Sequence, residues 1–88
     1  MKYTIVLKRP DYMGLGADDG EDLYVALVES ADVDGALSEA RAQVFEADRR
    51  DAADSDGEFI AARFPSDYSH LITFHGHVEP VWWGWQIQ

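Results

Sequence analysis

The sequence predicts a small α+β domain of order β-β-α-β-β, a mostly antiparallel four-stranded sheet with one helix across one face. Three observations carry that prediction. Short β-branched and aromatic runs recur, each bounded by Gly, Pro or Asp. A single stretch in the middle of the chain places apolar residues at helical spacing. The 88 residues, 47% of them apolar, make one domain, 1–88, with material for a real core.

The first element is KYTIVLKR, residues 2–9, which Pro10 ends. The loop PDYMGLGADDGE, 10–21, is long for a hairpin. DLYVALVES, 22–30, is the second strand. Alternation puts Tyr3, Ile5 and Leu7 on the inner face and Thr4, Val6 and Lys8 on the outer one. In the second strand, Leu23, Val25 and Leu27 are expected inward, and Tyr24, Ala26 and Val28 outward.

Asp32 is the expected N-cap of a helix over 33–48. Its stripe is Val33, Ala36, Leu37, Ala40, Val44 and Ala47, with Phe45 at the margin. Acids lead and Arg49 and Arg50 trail, which suits the helix dipole. The narrow, alanine-rich stripe predicts close approach to the sheet. DAADSDGE, 51–58, reads as an acidic loop. FIAARF, 59–64, is either a short strand or a helical turn. YSHLITFH, 68–75, is a strand, HGHVEP turns, and VWWGWQI, 81–87, is the last strand. On it Val81, Trp83, Trp85 and Ile87 share the helix-side face. Trp82 stands on the open face with Tyr24, Val28 and Val6, unless a loop or the FIAARF segment covers it. A patch of that kind marks an interface, with a second copy or with another partner.

Net charge is −10, from 17 acids against 7 bases. Such a field repels phosphate backbones and anionic lipid, which disfavours direct nucleic-acid or membrane binding. It favours a basic protein partner, although solubility alone also explains it. No run approaches the ~20 apolar residues of a membrane span. The N-terminus reads as a strand, not a signal peptide. With no cysteine in the chain, the expectation is a cytoplasmic protein.

No stretch points to catalysis or to a cofactor. His75, His77 and Glu79 alternate, so in an extended segment they converge on one side as a weak zinc-ligand pattern. A small ligand- or metal-binding domain using His75 and His77 is thus one alternative function, and a self-associating accessory protein is another. Aligned on Gly57, the 51–58 acids fail as a calcium loop, because Ala52 and Arg63 take liganding positions. MGLG, 13–16, lies among acids, the wrong field for a phosphate cradle. The hairpin tip instead combines Tyr12, Met13 and Leu15 with Asp18 and Asp19, apolar anchors within an anionic rim. That suits docking to a basic groove, while the alternative is that Tyr12 and Leu15 fold back over the core. The partner-binding set is therefore Tyr12, Met13, Leu15, Asp18, Asp19, Tyr24 and Trp82.

Residues 3–49, a strand pair followed by DVDGALSEARAQVFEAD, resemble the N-terminal ββα part of HicB-type antitoxins. In that family a hairpin precedes a helix with a similar Glu/Ala pattern. Its glycine-rich turn before the helix is replaced here by VESADVD, and no DNA-binding tail follows residue 88. The resemblance implies neutralisation of a basic toxin. Size and charge are also similar to those of small phage inhibitors of bacterial defence systems, some of which mimic DNA. The function expected is a non-enzymatic acidic module that occupies a basic surface of a partner protein.

Overall fold

The computed structural model describes residues 1–14, 22–55 and 60–79. Their architecture is α+β: an antiparallel sheet of three strands and one long helix. Strand β1 spans Lys2–Lys8, β2 spans Leu23–Glu29 and β3 spans Ser69–His75, in the order β2-β1-β3. The expected fourth strand, 81–87, and the three tryptophans lie outside the described residues. No helix among the described residues is long and apolar enough to cross a membrane.

β1 is central, and the two-sided burial of its side chains reflects that position. Tyr3, Ile5 and Leu7 join the core on the helix side, and Thr4 and Val6 are buried on the opposite face. The β1–β2 register pairs Ile5 with Ala26, Tyr3 with Val28 and Leu7 with Tyr24. Directly paired residues share a face, so Tyr24, Ala26 and Val28 lie under the helix. Leu23, Val25 and Leu27 lie on the open face. This reverses the facing expected for β2. Both alternating sets of that strand are apolar, so hydrophobicity did not distinguish them; the register with β1 did.

Helix α1, Val33–Asp54, packs on β1 and β2. Asp32 caps it as expected, accepting a 2.7 Å hydrogen bond from the Gly35 amide. Ala36, Ala40 and Val44 are buried. Two alanines at i and i+4 bring the helix backbone close to the sheet, as the stripe predicted. Val33 is 48% exposed, so the stripe begins a turn later than expected. The helix also runs past the arginines into DAAD and ends at Ser55, whose amide and hydroxyl both donate to the Ala52 carbonyl. Its last turn therefore carries Asp51 and Asp54 and no base, against the dipole.

FIAARF forms neither a strand nor a helical turn over its described residues, 60–64. Ala62 enters the helix-side core, while Ile60 and Phe64 are exposed. The segment therefore does not cover the open sheet face. A 3-10 turn at Pro65–Asp67 leads into β3, which carries an irregularity opposite Val6 and Leu7.

Candidate functional site

The described start of the loop, residues 11–14, is tied to the rest of the fold. Asp11–Met13 forms a 3-10 turn closed by Gly14 in the left-handed region, φ 72°. Met13 is buried in the core. The Tyr12 hydroxyl accepts from the Arg63 amide at 2.7 Å and donates to Asp67 at 2.6 Å. The Arg63 guanidinium lies 4.3 Å from the Tyr12 ring centroid, a cation–π contact. Partial burial, then the Asp67 carboxylate, raises the Tyr12 phenol above its ordinary pKa. Tyr12, 36% exposed, thus clasps the 60s segment to residues 11–14. Leu15, Asp18 and Asp19 lie outside the described residues, as does Trp82. Tyr24 is half-buried on the helix side, with the Arg9 guanidinium 5.3 Å from its ring centroid.

The histidines do not converge. His75 sits on the helix-side face, its ring 5.7 Å from that of Tyr3. Gly76, at φ 94°, reverses the chain. His77 Nε2 then lies 3.2 Å from the Val28 carbonyl oxygen. The positive φ breaks the alternation that the zinc pattern required. No group of three or more His, Asp or Glu among the described residues is placed to hold a metal ion. An open cleft of about 410 Å³ is lined by Met1, Tyr3, Val33, Thr73 and His75, where the helix stops short of β3.

The densest polar cluster was missed from sequence. Asp48 is fully buried on α1. Its carboxylate accepts from Arg9 Nε at 3.2 and 3.0 Å and from the Tyr68 hydroxyl at 2.8 Å. Arg9 Nη1 also donates to the Leu23 carbonyl at 3.1 Å. Burial, reinforced by Asp48, pushes the Tyr68 phenol far above its usual pKa. The cluster joins the end of β1, the start of β2, the helix and the entrance to β3. One signal was available: position 48 continues the 36, 40, 44 series at helical spacing. A carboxylate on a buried line requires a cation, and Arg9 follows β1 directly.

The cations of this chain are largely spent internally. Of its seven Lys and Arg, Lys8 pairs with Asp11, Arg9 with Asp48 and Arg49 with Glu46. Arg41 donates to the Tyr68 carbonyl, and Arg63 covers Tyr12. Glu29, Asp34, Glu39, Asp51, Asp54 and Glu79 are exposed. They form no ion pair among the described residues. The result is an outward anionic field.

The open sheet face is the second surface feature. Leu23, Val25 and Leu27 share it with Thr4, Val6, Ile72 and Phe74. Leu27 is 49% exposed and Ile72 46% exposed. No family model, curated protein or solved structure matches the chain.

Proposed function

We propose that this protein is a non-enzymatic, acidic protein-binding module that occupies a basic surface of a partner, of the kind that binds nucleic acid. An antitoxin or an anti-defence inhibitor acts in this way. The observation that carries the reading is the asymmetric use of charge. Five of seven cations are engaged within the fold, while among the described residues the exposed carboxylates of Glu29, Asp34, Glu39, Asp51, Asp54 and Glu79 form no ion pair. Charge complementarity of this type steers association and disfavours anionic competitors. The loop residues Asp18 and Asp19 add to the same field. Among the described residues, the buried Asp48 carboxylate is already engaged by Arg9 and Tyr68.

The test is a pull-down at low and moderate salt, followed by a nucleic-acid competition assay on the captured protein. The expected partner is basic, is released as salt rises and loses its nucleic-acid binding when this chain is bound. Charge reversal of Asp18 and Asp19, or of Glu39 and Asp51, is expected to weaken capture. Absence of any specific partner at either salt, with every reversal silent, would remove the proposal.

A further inference from the structure

We infer that the outer edge of β2 is where the basic partner is held, by adding one extended strand of its own to the sheet. The inference rests on the proposed function for the charge of the partner, and on the hydrogen-bond register for the site. At one end of the β1–β2 pair, Met1 and Ser30 exchange both backbone hydrogen bonds, at 3.0 and 2.9 Å. At the other end the Arg9 amide donates to the Asp22 carbonyl at 2.6 Å. Antiparallel pairs alternate between bonded and non-bonded. Between those ends the bonded pairs are therefore Tyr3–Val28, Ile5–Ala26 and Leu7–Tyr24. The amides and carbonyls of Leu23, Val25, Leu27 and Glu29 then point away from β1. Arg9 Nη1 donates to the Leu23 carbonyl at 3.1 Å. The stretch from Val25 to Glu29 pairs with no second strand among the described residues.

Regularity, side-chain facing and charge fit this edge to an incoming strand. β2 keeps an unbroken register with β1, and LYVALVE contains no proline, lysine or bulge, the devices that blunt an edge. β3, on the other side of the sheet, carries its irregularity opposite Val6 and Leu7. The side chains of Val25 and Leu27 lie on the open face, so apolar residues at alternate positions of an added strand lie beside them. Glu29 stands at the end of the edge. Arg41, which donates to the Tyr68 carbonyl, marks the flank of α1 on the β3 side. Glu39 is two residues away, about 200° around the helix, on the flank over the β2 edge. Both carboxylates are exposed and form no ion pair among the described residues. A strand carrying Lys or Arg beside them is attracted. The rival occupant is a second copy, which brings the same acids and a net charge of −10.

Amide hydrogen exchange followed by NMR, on the full chain with a synthetic peptide, tests the inference. The probe is Lys-Lys-Val-Thr-Val-Thr-Val-Lys-Lys, and its control has both threonines replaced by prolines, which keeps the charge and prevents strand pairing. In the free chain the amides of Val25, Leu27 and Glu29 are expected to exchange at least about tenfold faster than those of Ala26 and Val28. The probe should slow those three amides by at least about tenfold. The proline peptide should leave them unchanged and bind about tenfold more weakly. Val25→Pro deletes an outward amide and no bond to β1, so it should keep the circular dichroism of the parent and weaken the probe about tenfold. Glu39→Lys should weaken it several-fold, more at low salt than at high. If Val25→Pro unfolds, the exchange pattern of the unaltered chain decides the matter. Three outcomes overturn the edge as the site: protection of Val25, Leu27 and Glu29 already in the free chain, protection that rises with protein concentration alone, or equal binding of the proline peptide. The last of these leaves the acidic reading standing. Binding of neither peptide at low salt overturns the edge together with the charge attraction it rests on.

Discussion

Removal of the Asp48 carboxylate is the most informative single perturbation of the fold. In Asp48→Ala, Arg9 keeps its charge with a side chain only 14% exposed, and it loses both carboxylate contacts. The Tyr68 hydroxyl, in a residue with no exposed surface, loses the acceptor at 2.8 Å. Breaking one side of a buried ion pair costs about 3–5 kcal/mol, because the remaining charge is left uncompensated. A domain of this size has roughly 5–15 kcal/mol in total, so the variant stands near the unfolding threshold. Tyr68→Phe removes one hydrogen bond to a charged group and should cost about 1.5–3 kcal/mol. With Asp48 already replaced, the same tyrosine change should cost much less, giving a coupling of about 1–3 kcal/mol in a double-mutant cycle. Urea denaturation followed by circular dichroism measures all four corners of the cycle. Thermal melts should place Asp48→Ala at least about 12 °C below the parent. A loss under about 1 kcal/mol for Asp48→Ala, at unchanged denaturant sensitivity, would refute the assignment of this cluster as the joint between strand, helix and β3.

Other consequences are smaller or more local. Both Tyr12 and Tyr68 have phenols raised above the ordinary value of 10.0. Their contribution is present below pH 10 and is lost as pH rises through the folded-state values, so absorbance titration should show delayed ionisation ending in alkaline unfolding. The Lys8 ammonium hydrogen-bonds Asp11 at 2.6 Å and lowers its carboxyl below 3.8. Carbon NMR should find that carboxyl titrating at lower pH than the reference, and Lys8→Ala should return it. This fully exposed pair contributes its stabilisation above pH 3.8 and loses it as pH falls through the folded pKa; added salt weakens it. Replacing Asp54 by Lys should stabilise the helix by about 0.3–1 kcal/mol, since the last turn now carries acids and no base. Gly76→Ala forces a side chain into φ 94° and should cost about 1–2 kcal/mol, read as a lower urea midpoint.

Local chemistry was legible without coordinates wherever one residue type has one favoured use. Asp32 was readable as a cap because a carboxylate before a helical stripe satisfies an orphan amide, and it bonds the Gly35 amide. The alanine spacing predicted a closely seated helix, and the β-branched runs gave β1, β2 and β3 to within a residue or two. The anionic surface followed from the count of acids. The hydrogen-bond partners of Tyr12, Arg63 and Asp67, lie over fifty residues away and were not readable from the loop.

The sequence by itself determined the α+β class, the position and start of the helix and the sign of the surface field. These depend on propensity, spacing and composition, which are properties of neighbouring residues. The tertiary structure alone decided which face of β2 meets the helix, because both of its alternating sets are apolar and only pairing with β1 selects one. It also decided the partner of Asp48, which lies 39 residues from Arg9 and is found only when the helix crosses the sheet. It separated His75 from His77 through the single left-handed glycine between them. The register of β2 and the partner of Asp48 are contacts between distant parts of the chain, and local spacing marks at most the buried position, not its partner.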